Sequence, residues 1–360
     1  MRRSNFQNSH QRNQRSSRGA ALIVVLMIFA ATTVLVTQLQ RRTVQSVNRY
    51  GIQTAQIQAR AFAIGAERYA KIQLSQNRQF DQENQQTHDY AQEAWAQAQL
   101  YPIDGGRIQT QLYDLQGRFN LNELPNNTAA QAAFLRLLTI LDIPSDQQMP
   151  ATDLMQAILD WIDLDQEQQG FIEAEDGYYE QASQVINKSR DVIAGYKTAS
   201  QPLSHLSELL LVRGMSAVDY AKLWPEVTLL PIGTKLNINS LTPLVAQAVS
   251  PQGLALLQAR PVEGFTDQDL AQLGEDIRPT LAFGVQSEFF EARIQVDLAD
   301  QRYRSMSLLY SPISSVVTPG QSPAPTNQAG QSQLNRSNQA PVYVLNRDSG
   351  WAHFYEREES

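Results

Sequence analysis

A long apolar run near the N-terminus is the first element that the hydrophobic pattern predicts. Between Ala20 and Leu39 the chain has no charged residue, and only three threonines and one glutamine are polar. A helix needs about 20 such residues to cross the hydrocarbon core of a bilayer. We therefore predict a single transmembrane helix.

Apolar residues after this run recur every three, four or seven positions, which is typical of a helix that is buried along one side. Two adjacent rows have this spacing: Val47, Tyr50, Ile57, Ala61 and Ile64, and Ala55, Ala59, Phe62, Ala66 and Tyr69. The pattern predicts that the helix continues beyond the membrane and packs one side against a sheet.

Strand patterns lie on both sides of a long central segment. The clearest alternates Phe290, Ala292, Ile294, Val296 and Leu298 with charged or amide residues, and a second alternation through Met306, Leu308 and Tyr310 follows a short turn. Together they predict a β-hairpin. We also predict an earlier strand at about residues 108–115, after the Gly105-Gly106 turn, and an edge strand that begins at Val342.

The central segment is helical in pattern, with apolar runs at 132–141, 151–162 and 203–212. A helical insertion inside a strand-built domain is the simplest arrangement, so we predict an α+β fold in which a long N-terminal helix packs on an antiparallel sheet. Residues 311–340 are rich in Ser, Pro, Gln and Asn, which predicts a flexible loop or insertion.

A short phrase occurs twice in the central segment. Residues 119–125 read FNLNELP, and residues 236–243 read LNINSLTP. Each copy precedes a helical stretch, which favours a duplicated helical unit. The alternative is that asparagine caps a helix in both places without common origin.

The charge of the chain is unevenly distributed. The net charge is −7, yet nine arginines and no acidic residue precede Glu67. The acidic body disfavours a nucleic-acid partner, because phosphate contacts need clustered Lys and Arg. The absence of cysteine excludes thiol catalysis, disulfides and zinc-cysteine sites.

Basic residues also predict the orientation of the transmembrane helix. The arginines before the apolar run favour a cytoplasmic N-terminus by the positive-inside rule, although Arg41 and Arg42 on the far side work against it. Two alternatives remain open: an ordinary signal anchor, and a cleaved secretory signal with a small-residue site at Ala30-Ala31.

The junction Arg18-Gly19-Ala20 resembles the type III signal of type IV pilins and pseudopilins. This resemblance implies that prepilin peptidase cleaves between Gly19 and Ala20. In that family most subunits have Glu at the fifth mature position, whereas this chain has Val24. An unpaired carboxylate in hydrocarbon costs several kcal/mol, so a subunit with no neighbour beyond it benefits from lacking one.

Several phrases in the body resemble the protein K family of type II secretion systems. They are GRFNLN at 117–122, DWIDxD at 160–165, AEDxxY at 174–179, Pro202-Leu203, SEL at 207–209 and VRG at 212–214. Two positions depart from the family pattern: Ile172-Glu173 replace a glycine, and 198–201 replace a proline-asparagine phrase. With the leader, the resemblance covers the chain from Gly19 to about Tyr310.

The resemblance implies a minor pseudopilin that initiates or caps the pseudopilus tip, with N-terminal methylation, inner-membrane anchoring and a periplasmic body. It also implies minor pseudopilins I and J as partners and a pilin-like sheet interrupted by SAM-like helical units. The implied division is a leader at 1–19, a transmembrane and pilin-type helix at 20–75, the first part of the pilin-like domain at 76–118, a first SAM-like unit at 119–235, a second at 236–284, and C-terminal strands at 285–360 with the low-complexity insertion 311–340.

An acidic stretch follows the DWI phrase. Carboxylates this close together repel each other unless a cation or solvent offsets their charge, and calcium accepts six to eight oxygen ligands. The Asp-x-Asp-x-Glu spacing is not an EF-hand, because Gln168 and Ala174 occupy positions that need Gly and Glu. A solvated acidic loop is the alternative. The resemblance implies calcium, and the ligands we predict are Asp163, Asp165, Glu175 and Asp176.

Enzymatic function has little support in the sequence. A pair of carboxylates could serve a membrane-anchored periplasmic glycosidase. However, the chain contains no G-x-S-x-G, H-E-x-x-H, Walker A or G-x-G-x-x-G motif. His205 lies in an apolar stretch and is predicted to be structural. A minor pilin of a type IV filament is the nearer alternative to the pseudopilin function.

Overall fold

The computed structural model describes residues 12–146, 148–163, 176, 179, 196–313 and 341–349. For residues 12–20 and 349 it describes the backbone alone. Most of the predicted low-complexity insertion and most of the acidic stretch therefore lie outside the described residues.

The elements follow one another as a long helix, two strands, a mixed insertion and three further strands. The α-helices are α1 (Arg12–Asn84), α2 (Thr128–Ile140), α3 (Ala151–Ile162), α4 (Ala217–Leu223), α5 (Pro243–Val249), α6 (Gly253–Ala259) and α7 (Asp267–Gln272). The strands are β1 (Gln99–Ile103), β2 (Gly106–Asp114), β3 (Phe119–Asn120), β4 (Val227–Thr228), β5 (Leu236–Asn237), β6 (Phe283–Gly284), β7 (Phe289–Leu298), β8 (Gln301–Tyr310) and β9 (Tyr343–Ser349).

Helix α1 is continuous over 73 residues, about 110 Å at 1.5 Å per residue. It begins before the apolar run and continues past residue 75, where the sequence predicted its end, to Asn84. Its side chains from residue 21 to 58 are exposed apart from the half-buried Ala55. From Ala59 onward one side of the helix is buried.

The main sheet is antiparallel and has the strand order β1-β2-β7-β8-β9. The predicted hairpin is confirmed: β7 and β8 pair from Phe289↔Tyr310 to Leu298↔Gln301. Strand β1 was not foreseen, because QLYPI is short, contains a proline and lacks a regular alternation. It forms the edge of the sheet, where a proline is tolerated.

Small side chains hold α1 close to the sheet. The buried hydrophobic residues of the helix are Ala59, Ala63, Ala66, Ala70 and Leu74, and they pack against Ile108, Leu112, Phe290, Ala292, Ile294, Val296, Leu298 and Leu309. The inward positions of β7 are those that the alternation predicted. Alanine adds little bulk beyond the backbone, so the helix axis lies near the strands.

The insertion leaves the sheet after β2 and returns before β7. At one end of these strands Gly106 pairs with Leu298, which clusters with Ala59. At the other end Asp114 pairs with Phe290, which clusters with Leu74. Because α1 leads away from its apolar run toward Leu74, the insertion joins the end of the sheet that is furthest from that apolar run.

The two copies of the repeated phrase make matching hydrogen bonds. In the first, Asn120 accepts from the N–H of Asn122, and the Asn122 side chain bonds to both backbone groups of Leu203. In the second, Asn237 accepts from the N–H of Asn239. The Asn239 side chain bonds in the same way to Phe265, across 26 residues. Local capping does not account for these long-range bonds.

Each copy of the phrase begins with a short strand that pairs in parallel with a later short strand. Strand β3 pairs with β4, and β5 pairs with β6. The hydrophobic core of the insertion runs through both copies and includes Phe119, Phe134, Leu137, Leu138, Leu154, Ile158, Leu236, Val245 and Leu256. The insertion is therefore one packed body that contains both copies of the phrase.

Candidate functional site

The part of α1 before Ala59 is the first candidate surface. The structure has one helix long and apolar enough to cross a membrane, and it includes this part. Gly19 and Ala20 lie within α1, and Val24 is 54% exposed in the chain alone. The predicted cleavage between Gly19 and Ala20 stays a prediction.

Glu67 fastens the last strand of the sheet to α1. Its carboxylate is buried and accepts two hydrogen bonds from Arg347 of β9, at 2.6 and 2.8 Å, and one from Ser307 of β8 at 2.6 Å. Burial alone raises the pKa of Glu67, but the Arg347 and Ser307 hydrogen bonds outweigh it and lower the pKa. The folded structure therefore stabilises the ionised form of Glu67.

Replacing Arg347 with alanine is expected to lower the free energy of unfolding by about 1–3 kcal/mol, because it leaves a buried carboxylate with one hydroxyl partner. Arg347 is itself 59% exposed, which keeps the value below that of a fully buried pair. The matched control is Arg302→Ala, since Arg302 pairs with Asp297 at an exposed site and should cost less than about 1 kcal/mol. Thermal unfolding of the full-length protein in detergent measures both; equal losses would contradict the role of Glu67.

A buried charge pair lies where α1, the sheet and the insertion meet. Arg78 of α1 donates two hydrogen bonds to Asp89, at 2.9 and 3.1 Å, and both side chains are less than 7% exposed. Arg78 also donates to the carbonyl of Ser287 and to the hydroxyl of Ser311. One guanidinium thus joins the helix to the segments on either side of the β7–β8 hairpin.

Asn237 of the insertion extends this polar junction. Its amide donates to the carbonyl of Asp89, to Asp114 at 2.9 Å and to Ser287 at 2.8 Å. Burial raises the pKa of Asp114, and hydrogen bonds from Ser240, Ser287 and the Gln116 backbone act against that rise. The asparagine that opens the second repeat copy is therefore part of the connection between the two domains.

The outer face of the sheet contacts the insertion through stacked side chains. The guanidinium of Arg293 lies 4.4 Å from the ring centre of Tyr113 and 4.9 Å from that of Trp224. Arg118, immediately before the first repeat copy, pairs with Glu291 at 3.6 Å. These contacts support a fixed position of the insertion on the sheet.

Two further carboxyls near Asp89 have raised pKa values. Burial, followed by repulsion from Asp89, raises the pKa of Asp81 to about 6 and that of Glu93 to about 7. Within the described part of the chain, the buried Oδ1 of Asp81 accepts no hydrogen bond. Asp81 lies 3.9 Å from the guanidinium that already binds Asp89, whereas Glu93 accepts hydrogen bonds from Gln86 and Trp95. The surplus negative charge of these buried carboxyls favours protonation.

This cluster predicts that the protein is more stable at pH 5 than at pH 8. Asp81 and Glu93 bind protons more tightly in the folded chain, so their contribution is fully present below about pH 4 and is lost as the pH rises through 6 and 7. Asp81→Asn should flatten the dependence, retaining about 1–3 kcal/mol at pH 8 that the parent loses. Urea unfolding of the full-length protein at both pH values measures it. Asp300→Asn, at an exposed turn, should leave the slope unchanged; a parent slope of zero would refute the prediction.

The structure describes two of the four predicted calcium ligands. Asp163 caps the end of α3. Asp176 accepts hydrogen bonds from the backbone and hydroxyl of Thr198, both at 2.9 Å, and from Lys197 at 3.1 Å. Although slight burial raises the pKa of Asp176, these bonds lower it. Asp165 and Glu175 lie outside the described residues, and the calcium site stays a prediction.

Among the described residues no group of three or more His, Asp or Glu is placed to hold a metal ion. His205 caps the 3-10 helix Leu206–Leu211 by accepting a hydrogen bond from the N–H of Ser207. Its contacts are those of a structural residue, as predicted. In the described part of the chain, the features that bear on function are therefore the polar contacts between the sheet and the insertion and the exposed surface of α1.

Comparison with known proteins identifies the family. A family model for type II secretion system (T2SS) protein K matches residues 117–232. Type II secretion system protein K of Klebsiella pneumoniae is 32% identical over 318 residues, which cover 81% of this chain and 92% of the relative. The chain belongs to the type II secretion system protein K family. The protein of the same name from Pseudomonas aeruginosa (strain PAO1) is 30% identical over 313 residues and covers 82% and 89%.

A solved structure agrees with this assignment. In the GspK-GspI-GspJ complex of enterotoxigenic Escherichia coli, the matched chain is 26% identical with a TM-score of 0.63, and the match covers 84% of this chain and 99% of that chain. The predicted resemblance to protein K is confirmed, and the role of this chain is that of a minor pseudopilin. Its relatives are named as components of a secretion system.

Sequence reasoning missed the polar residues that connect distant segments of this protein K. Glu67 and Arg347 are 280 residues apart, and Asn237 and Asp89 are 148 apart. The one local signal was Glu67 itself, the first acidic residue of the chain and an interruption of the apolar side of α1. Nothing in the sequence pointed to its partner.

Proposed function

We propose that this protein K forms the tip of the type II secretion pseudopilus, anchored in the inner membrane by α1 with its body in the periplasm. The observation that carries the proposal is the position of the insertion, at the end of the sheet furthest from the transmembrane segment. A body of this size above the sheet occupies the space that a further subunit would need. Growth therefore proceeds only below it.

Val24 supports the same position. A carboxylate at this place would lie in the hydrocarbon or among apolar helices, and it needs a neighbouring amine as partner. The terminal subunit has no neighbour beyond it to supply one. Valine removes that requirement without weakening the transmembrane helix.

The partners that we propose are the minor pseudopilins I and J of the same system. The support is the E. coli relative, whose solved structure is a complex with GspI and GspJ. No catalytic step is part of the proposal. The insertion acts by its bulk and its surface, as the site that the outer-membrane channel or a secreted protein would meet.

Processing by prepilin peptidase tests the pseudopilin topology. We expect a mature N-terminus at Ala20 and a mass lower by the leader 1–19 when the full-length protein is produced with active peptidase, and an intact leader without it. N-terminal sequencing and intact mass decide this, and the mass also shows whether Ala20 is methylated. A cut beyond the apolar run would contradict the proposal and favour a secreted protein.

Calcium as a structural ion of the acidic stretch is a further part of the proposal. The acidic stretch begins at Asp163. Asp176 binds Thr198, and the buried ring of Tyr179 packs on Trp161 with 5.2 Å between the ring centres. Carboxylate oxygens are the ligands that calcium prefers. We expect calcium to raise the melting temperature of the full-length protein after chelation, and Asp165→Asn to abolish that rise. The control Asp153→Asn, at a half-buried position in the first turn of α3, should preserve it. An unchanged melting temperature in the parent would contradict calcium binding.

We also propose that the two halves of the insertion, at 119–235 and 236–284, are SAM-like units from a duplication. The matching roles of Asn120 with Asn237 and of Asn122 with Asn239 support it. Leader, helix, pilin-like domain and C-terminal strands would then follow the division implied by the family.

A further inference from the structure

Three exposed arginines lie on one side of α1 between the membrane and the body. Arg42, Arg49 and Arg60 are separated by seven and eleven residues. At 3.6 residues per turn, both separations return to the same side of a helix within about 20°. We call these three residues the arginine stripe. All are exposed, and the ion pairs of the described residues involve other arginines.

Among the residues that the structure describes, no acidic side chain forms an ion pair with the arginine stripe. The first acidic residue of the sequence is Glu67, and Arg347 already binds it. The upper end of the stripe opens into a groove of about 520 Å³ between α1 and the start of β8. Gln53, Gln56 and Arg60 line this groove together with Arg302. Polar and basic groups thus continue along this side of the helix.

The length of the arginine stripe argues against lipid as its main ligand. Arg42 follows the apolar run by three residues, but Arg49 and Arg60 lie about 10 and 27 Å further along the helix. The polar layer of a bilayer is only about 5–8 Å thick on each side. Lipid phosphates of the membrane that holds α1 therefore reach Arg42 alone.

A second copy of the chain is also a poor partner for this surface. It would bring the same arginines and no carboxylate before Glu67, so parallel copies would place like charges side by side. A partner that neutralises the stripe over its whole length needs carboxylates spaced along about 27 Å beside α1. A helix anchored in the same membrane provides that geometry.

We propose that the arginine stripe binds an acid-bearing helix of a different membrane-anchored subunit, running parallel to α1. This inference rests on the proposed pseudopilus function and adds which side of α1 faces the neighbour. It also gives a physical reason for a single copy at the tip, since the helix that recruits an acidic neighbour repels its own kind.

Charge reversal in the full-length, tagged protein tests the proposal, with pseudopilins I and J co-produced and recovered from detergent-solubilised membranes. We expect Arg49→Glu and Arg60→Glu each to lower the recovery of the neighbouring subunit several-fold, and the double variant to lower it about tenfold. Two control reversals separate position from charge. Arg41→Glu has the depth of Arg42 but lies about 100° around the helix, and Arg68→Glu lies about 80° from Arg60. Both controls should stay within about twofold of the parent.

A photo-crosslinking residue gives an independent readout that does not need stable recovery. Placed at Gln53, on the side of the arginine stripe, it should form an adduct with a membrane protein, whereas placed at Gln58, about 140° away, it should not. If recovery falls with Arg41→Glu and Arg42→Glu but not with Arg49→Glu or Arg60→Glu, the arginines near the membrane bind lipid phosphates, and the proposal is overturned. Equal adducts at Gln53 and Gln58, or unchanged recovery in every variant, would also overturn it.

These outcomes separate the inference from the proposed function. If the parent protein recovers pseudopilins I and J but the charge reversals do not change the recovery, the proposed binding role of the arginine stripe is refuted. The proposed partners are then retained. If the parent recovers neither, the proposed partners are wrong. The adduct at Gln53 then decides the inference alone: a membrane protein supports it, and the absence of any protein adduct overturns it.

Discussion

Replacing Arg78 with methionine is expected to lower the free energy of unfolding by about 3–5 kcal/mol. The substitution keeps an unbranched side chain in place of the arginine stem but leaves Asp89, which is 1% exposed, buried without its cation. It also removes the donors to Ser287 and Ser311, so the insertion should loosen from the sheet. Urea unfolding of the full-length protein in detergent, followed by tryptophan fluorescence, measures the loss.

Two further variants separate the charge effect from a general loss of packing. Arg68→Met makes the same change at an exposed position of α1 and should alter stability by less than about 0.5 kcal/mol. Arg78→Met combined with Asp89→Asn removes both charges and should recover about 1–2 kcal/mol relative to the single variant. If the double variant were as unstable as the single, an uncompensated buried charge would not be the cause.

Replacing Asn122 with alanine is expected to destabilise the protein by about 2–4 kcal/mol. Its side chain satisfies the N–H and the carbonyl of Leu203 and the carbonyl of Leu230, at 3.0 to 3.3 Å. Each buried backbone group left without a partner costs about 1–3 kcal/mol. Differential scanning calorimetry of the full-length protein would record the change.

The second repeat copy supplies the matched comparison. Asn239→Ala removes the equivalent bonds to Phe265 and should cost about as much as Asn122→Ala. Gln268→Ala, on the exposed side of α7, should be within about 0.5 kcal/mol of the parent. A large loss for one asparagine and none for the other would show that the two copies do not share a structural role.

The elements that the sequence predicted well are those with a strong local period. The apolar run needed no partner to be recognised, because an uncharged helix of this length matches the thickness of the hydrocarbon core of a bilayer. Strands β7 and β8 alternate over ten residues each, so their pairing followed directly, as did the buried side of β7. The buried side of β8 was predicted wrongly: Ser307 and Leu309 lie against α1, whereas Met306, Leu308 and Tyr310 are half-buried on the other face. The paired Asn phrases indicated a repeat, although not the long-range bonds that Asn122 and Asn239 make.

Elements without such a period were missed or displaced. Strand β1 is five residues long and exists because β2 offers it an edge. The end of α1 at Asn84 lies beyond the predicted one, since the loop after it is fixed by Arg78 and Asp89 rather than by a local stop signal. These features depend on residues that meet only after folding.

The sequence by itself determined the apolar helix of membrane-spanning length, the α+β class, the resemblance to the protein K family and the spacing of the arginines on α1, because each depends on spacing or composition within short segments. The tertiary structure alone decided where the insertion sits and what holds it there. Buried charge pairs such as Arg118 with Glu291 form between segments that are far apart in the chain. Their partners are selected by burial and geometry, and neither is encoded in a local pattern.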